Sequence, residues 1–184
     1  MKTGLLLVDI QNDYFPGGKM ELVGSTEAGR KARLALYYFR AKQMPVVHVR
    51  HLAVKPDAPF FIPGSEGSQI HESVAPLETE VVVEKNFPNS FRNTALLEKL
   101  QEQGVEHLVI VGMMTHMCID TTVRAASDLG VTVTLLQDSC ATKALKWDNA
   151  VIPADMVHRA FLAALNGKFA RVMTAEAFLA RSDG

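Results

Sequence analysis

Three residues of different chemical type stand just after three apolar runs. Asp9 follows "GLLLV", Lys85 follows "VVVE", and Cys118 lies a few residues beyond "HLVIVG". Taken singly, each has a plain structural reading: an acid in a turn, an ammonium ending a strand, a small buried thiol. Together they have a chemical logic. A thiol attacks a carbonyl carbon as thiolate, so its surroundings must lower its pKa or supply a base. A carboxylate can take the thiol proton as substrate binds and return it to a leaving nitrogen. It can then activate the water that clears the acyl group. An ammonium nearby holds the acid and the thiol at working distance and makes both anionic forms tolerable. Acyl transfer at a C–N bond is chemistry that this set can perform without a histidine.

The stretch "GMMTHMCIDTTVRAA", residues 112 to 126, joins an apolar run to an amphipathic helix pattern. A cysteine at a helix start faces unsatisfied N–H groups and the positive end of the helix dipole. With Lys85 close by, the Cys118 thiolate is expected to be favoured and to react with iodoacetamide faster than a free thiol. Backbone N–H groups around Met114 to Cys118 point toward a negative oxygen developing on the substrate. Cys140, in "QDSCATK", has no helix start or basic partner and reads as packing.

The elements that must position these groups are legible as alternating runs. Six apolar segments read as strands: Gly4–Val8, Val46–Val49, Val81–Glu84, His107–Val111, Val131–Leu136 and Ala170–Met173. Several are continuous rather than alternating, as strands covered on both faces are. Helical patterns run from Ser25 to Lys42, with Leu34, Tyr37 and Tyr38 on one side, and from Thr94 to Gln103, Cys118 to Leu129 and Pro153 to Leu165. Strand alternating with helix implies right-handed crossovers, a parallel sheet between helical layers, and a ligand crevice at the carboxyl ends of the strands. Asp9, Lys85 and Cys118 all fall on that side.

One connection breaks the alternation. From Leu52 to Thr79 the chain holds Pro56, Pro59, Pro63, Gly64, Gly67 and Pro76, with at most a short helix around Gln69–Val74. Such a segment could cover the crevice and select substrate, or be a solvated excursion.

The chain has 184 residues, 48% hydrophobic and 21% charged, with a formal net charge of -1. That describes one globular domain, residues 1–184, with no electrostatic lean toward nucleic acid or an anionic membrane. Its expected partner is a small-molecule substrate. The first apolar run is too short for a signal segment and meets Asp9, so it reads as a core strand. Two cysteines make no disulfide framework, which points to a reducing compartment, the cytoplasm.

"LLLVDIQNDYF", "VVVEKNFPNSFRNTALLEKL" and "VIVGMMTHMCIDTTVRAASDLG" together give the chain a family likeness. It resembles the isochorismatase-like cysteine hydrolases, a superfamily that includes nicotinamidases and N-carbamoylsarcosine amidohydrolase. The nucleophile segment is the most specific part, with Gly112, Thr115, Cys118, Thr122 and Ala126 at the family's spacing. The resemblance implies an α/β fold of three layers, α/β/α, with a six-stranded parallel sheet in the order 3-2-1-4-5-6. Lys85 must then reach inward over the end of the second strand. It also implies Asp9 as base, Lys85 as charge organiser and Cys118 as nucleophile. A cis peptide at Met113–Met114 would set the Met114 N–H beside that of Cys118 in an oxyanion hole. No cofactor is implied, and a homodimer or larger homo-oligomer is.

Two departures narrow the substrate. Nicotinamidases carry an Asp-X-His metal motif after the second strand, where this chain reads "HVRHLAVKPDAPFF". No metal is therefore expected, although His48, His51 and His71 could gather around one. Isochorismatases that cleave a vinyl ether do not need the cysteine. Its retention favours an acyl-enzyme route on an amide, imide, ureide or lactam. "PVVHVRH", "PDAPFFIPGSEG" and "THMC" look most like a bacterial subgroup that includes streptothricin hydrolase. Candidate pocket residues are Gln11, Phe60, Phe61, His116 and Trp147; for the aromatics, packing beneath a loop is the plainer reading. Two rival readings stand beside the hydrolase: a vinyl ether hydrolase using Asp9 and Lys85 alone, and a small-molecule binding module without chemistry.

Overall fold

In the computed structural model, which describes residues 1–182, the run Lys2–Val8 forms β1 near the centre of the sheet. Its residues alternate between two apolar cores. Leu5 and Leu7 enter one, and Leu6 and Val8 the other. That is the two-residue period of a strand covered on both faces. β2 (Val46–His51) and β4 (Val105–Met113) pair with β1 in parallel, one on each side. β3 (Val81–Lys85) pairs with β2, and β5 (Thr132–Ala141) pairs with β4. An antiparallel hairpin, β6 (Leu145–Trp147) with β7 (Ala150–Ile152), stands apart, and β8 (Arg171–Met173) closes the main sheet. The order β3-β2-β1-β4-β5-β8 is the expected one, its sixth member being eighth in the chain because the hairpin intervenes.

Helices α1 (Ser25–Ala41) and α5 (Ala175–Ser182) cover the Leu5 face. Helices α2 (Leu96–Glu102), α3 (Asp120–Asp128) and α4 (Ala154–Leu165) cover the Leu6 face. The stripe that α1 buries is not the one carrying Leu34 and Tyr37, both exposed. It is Ser25, Ala28, Gly29, Ala32, Ala35, Leu36 and Phe39, at spacings of three and four. Small side chains along that stripe let the helix lie close to the sheet, so the larger residues are turned out. Helix α3 is shorter than its sequence pattern because residues Thr115–Ile119 form one π-helical turn ahead of it.

The segment 52–79 is packed rather than solvated. It carries two single-turn 3-10 helices, Glu66–Ser68 and Glu72–Val74, and buries Phe61, Ser68 and Val74. Asp13 organises it, accepting the Phe61 N–H at 2.7 Å and the Lys19 N–H at 3.2 Å. Among the described residues no helix is long and apolar enough to cross a membrane.

Candidate active site

Strand β1 ends at Val8, and the next residue, Asp9, has φ 51°. Aspartate is one of the few side chains that tolerate this left-handed region. Across the ladder, Gly112 pairs with Val8 and has φ 137°. A Cβ at Gly112 would stand 2.0 Å from the Val8 carbonyl oxygen, so only glycine lets β4 approach β1 this closely beside Asp9. The Met113–Met114 peptide that follows is cis, and the π-helical turn then carries Cys118.

Lys85 ends β3, opposite His51 in the ladder and two strands away from β1. Its ammonium crosses the end of β2 to stand 2.7 Å from Asp9 Oδ2 and 3.3 Å from Cys118 Sγ. Asp9 is 0%, Lys85 1% and Cys118 5% exposed, so the three groups meet out of bulk water. Lys85 Nζ also lies 3.0 Å from the Phe87 carbonyl oxygen and 3.1 Å from His51 Nδ1. An ammonium has three hydrogens, and here it has four acceptors. A neutral thiol is the weakest of them, and a thiolate would draw a hydrogen from the others.

Electrostatics reverses one expectation from the sequence. The Cys118 thiol is pushed up, not down: burial is the main cause, the Asp9 charge adds to it, and Lys85 offsets only part. Burial works against the Lys85 ammonium, but the Asp9 and Cys118 charges and their hydrogen bonds outweigh it, and the pKa is raised. One cation balances one anion, so a proton can pass between carboxylate and sulfur without changing the charge of the cluster. The helix terminus and Lys85 therefore do not make a free thiolate at rest. Asp9 Oδ1 is sealed from solvent and has no hydrogen-bond partner among the described residues, leaving an acceptor for that proton.

Several residues around this cluster were given no part in it by the sequence, although His51 was weighed as a metal ligand and Thr115 and Thr122 were noted for their spacing. His51 touches Lys85 and is held below its ordinary pKa, first by burial and then by Lys85. Tyr14 is buried, and its phenol is pushed up by burial and then by the Cys118 and Asp9 charges. Thr115 Oγ1 lies 2.8 Å from His158 Nδ1, tying the nucleophile turn to α4. The Ser90 N–H donates to Thr122 Oγ1 at 3.1 Å, tying α3 to the segment after β3. The clue available for His51 was its place at the carboxyl end of β2, between the strands that carry Asp9 and Lys85.

The candidate pocket residues separate. Gln11 is fully buried as a clamp: Nε2 donates to the His51 and Ser68 carbonyls, both at 2.9 Å, and Oε1 accepts the His51 N–H at 2.8 Å. Its amide is thus used up in joining β1, β2 and the 52–79 segment rather than lining a pocket. Phe61 is buried against Tyr14, with ring centroids 4.6 Å apart. Phe60 and His51 border a cleft of about 410 Å³ with Ala53, Val54, Pro59 and Asn86. His116 turns toward β5 and α4, with Nδ1 2.6 Å from Thr142 Oγ1 and its ring near Phe161. Trp147 is 78% exposed on the β6–β7 hairpin, and the fold does not bring it to the cleft. Cys140 is buried on β5, pushed up to about 12 chiefly by burial.

The three histidines weighed as metal ligands disperse. His48 pairs with Glu80 at 2.9 Å, and His71 stacks on Phe15 with centroids 3.5 Å apart. Only His51 reaches the cluster. Donor atoms of Asp9, His51 and Cys118 do lie within 4.8 Å of one another, a cation-site spacing. The cation that all three contact is the Lys85 ammonium.

A family model described as Isochorismatase domain matches residues 3–177. The chain is 52% identical to the uncharacterized isochorismatase family protein YddQ of Bacillus subtilis, over 97% of this chain and 99% of that protein. It is 32% identical to a streptothricin hydrolase of Streptomyces noursei, over 75% of this chain but only 49% of that protein. Among solved structures, an isochorismatase from Pseudomonas putida superposes with a TM-score of 0.89 at 36% identity, covering 95% of this chain and 89% of the other.

Proposed function

The chain belongs to the isochorismatase family of hydrolases, and from that premise we propose that it is a cysteine-dependent hydrolase. Its reaction is cleavage of a C–N bond in a small amide, imide, ureide or lactam through an acyl-enzyme. What carries this reading is one arrangement: a buried ammonium 2.7 Å from a carboxylate and 3.3 Å from a thiol.

The steps follow from the proton that can pass between carboxylate and sulfur. As substrate enters, the Cys118 proton passes to Asp9 and Sγ bonds to the carbonyl carbon. The freed sulfur charge and the new oxyanion never coexist, because the sulfur lone pair becomes the S–C bond as the C=O π pair moves on to the carbonyl oxygen. The N–H groups of Met114 and Cys118 are the donors assigned to that oxygen. Collapse of the adduct breaks the C–N bond, and Asp9 returns its proton to the leaving nitrogen. Water then replaces the amine, gives a proton to Asp9 and adds to the thioester. When the second adduct collapses, sulfur leaves and regains its proton, and the carboxylic acid departs. Lys85 remains an ammonium throughout, shifting a hydrogen between Asp9 and Sγ as negative charge moves.

The test is a panel of small amides, cyclic imides, ureides and lactams assayed with the wild-type chain and with Cys118→Ala. Turnover of a panel member that vanishes in the folded variant is the expected result. Turnover that survives the substitution would contradict the acyl-enzyme on Cys118, and turnover of an added vinyl ether by both chains would instead indicate chemistry on Asp9 and Lys85. A panel with no turned-over member, together with a thiol inert toward all of them, would leave a binding module.

A further inference from the structure

We infer that His51 is a substrate-binding residue, whose Nε2–H faces the cleft and takes a second carbonyl oxygen of an uncharged substrate, beside the carbonyl that Cys118 attacks. This rests on the hydrolase reading above and adds to it a residue and a narrower substrate class.

The assignment begins with Lys85. An ammonium only donates, and with the neutral Cys118 thiol the weakest of its four acceptors, the three hydrogens go to Asp9, Phe87 and His51, whose Nδ1, 3.1 Å from Lys85 Nζ, then presents a lone pair. A neutral imidazole with a lone pair on Nδ1 carries its hydrogen on Nε2. The tautomer is therefore set by geometry. Protonating Nδ1 would direct an N–H at an N–H of a cation, so the ring stays neutral while Lys85 is charged. Asp9, Lys85 and Cys118 are sealed, whereas His51 is part-exposed and is the cluster member that borders the cleft of about 410 Å³. With Nδ1 turned to Lys85, Nε2–H is the polar group of the ring left to face that space.

The ligand chemistry follows from the surroundings. Ala53, Pro59 and Phe60 give the cleft an apolar wall, its exposed rim carries one charge of each sign, Lys55 and Asp57, and the buried Lys85 ammonium behind His51 already serves Asp9, Phe87, Cys118 and His51. At Nε2–H itself the donor is neutral and the Asp9–Lys85 charges behind it cancel, as Lys55 and Asp57 do at the rim, so the position suits a carbonyl better than a carboxylate. It suits an ammonium least, since Nε2–H offers no acceptor. Cyclic imides and ureides carry a second carbonyl next to the scissile bond, and simple lactams do not.

The experiment uses Cys118→Ala, which binds without turnover, titrated with succinimide (two carbonyls) and 2-pyrrolidinone (one). Succinimide is expected to bind about tenfold more tightly, the worth of one hydrogen bond. His51→Asn in the same background keeps an oxygen to accept from Lys85 but removes the outer donor, and should erase the difference. A preference that persists in His51→Asn, equal binding of the two probes, or binding of neither overturns the inference. Should His51→Asn fail to fold, nitrogen NMR of His51 in the Cys118→Ala chain decides. The expected signature is a bare Nδ1 at neutral pH and an Nε2–H signal that moves with succinimide. An imidazolium, or an unmoved Nε2–H at saturation, overturns it. Failure of the hydrolase reading is seen separately, as the lack of any Cys118-dependent turnover in the wild-type panel.

Discussion

Glu80 directly precedes β3 and Lys85 ends it; the first is the hub of a partly buried ionic cluster and the second of a fully buried one. At the Glu80 end both carboxylate oxygens are served, although His48 Nδ1 has no partner among the described residues. Arg40 donates to both carboxylate oxygens at 2.7 Å, and the Leu77 N–H and His48 Nε2 each add a contact of 2.9 Å. Burial would raise this carboxyl, but Arg40, Leu77 and His48 outweigh it and hold it at about 2. At the Lys85 end the donor has too many acceptors and Asp9 Oδ1 has no partner among the described residues. The first cluster has one protonation state near neutrality and fixes where β3 begins. The second can redistribute a proton and a hydrogen bond with little motion, which is what acyl transfer needs. A saturated ion pair supports a fold, and an unsaturated one can perform chemistry.

Removing each hub should separate the two. Lys85→Met leaves Asp9 buried without its cation. Turnover should fall by about a thousandfold or more, and chemical denaturation should show a loss of about 3–5 kcal/mol. Retained activity in a stable Lys85→Met chain would erase the distinction. Glu80→Gln should leave turnover nearly unchanged and cost about 2 kcal/mol at neutral pH, after allowance for solvent screening. Because the folded carboxyl lies below its unfolded value, its contribution is present above the usual carboxylate range and is lost as pH falls toward about 2. Melting curves of wild type and Glu80→Gln should therefore converge in acid; a gap that stays constant would contradict the cluster's electrostatic role.

A smaller effect sharpens the other end. With the thiol pushed up by burial and by Asp9, iodoacetamide should alkylate Cys118 in the ligand-free chain more slowly than a free cysteine, with a rate that climbs into the alkaline range. Rapid labelling at neutral pH would restore the free thiolate expected from the sequence. Smallest of all, Trp147→Ala should change stability by no more than about 0.5 kcal/mol, because that side chain is exposed on an outlying hairpin.

The sheet and the three central side chains were legible because they obey strong rules. Continuous apolar runs mark buried parallel strands, and polar residues just past their carboxyl ends mark a crevice. What was not legible depended on neighbours distant in sequence. The small-residue stripe of α1 packs better than Leu34 and Tyr37, yet a hydrophobicity pattern weights the larger residues. Gln11 looked like a pocket residue until Ser68 and His51 took up its amide. The short β6–β7 hairpin and helix α5 lack a long apolar run. The state of the Cys118 thiol was misread because a helix start and a lysine are visible in sequence, while burial and the position of Asp9 are not.

The central claim is that one proton moves between Cys118 and Asp9 while sulfur holds the acyl group. Rapid-quench mass spectrometry during turnover of the best panel substrate tests it most directly. A mass increase equal to the acyl group, confined to the peptide carrying Cys118 and missing in Asp9→Asn, is the predicted result. Steady turnover with Cys118 unmodified at every quench time, and unaffected by Cys118→Ala, would contradict it.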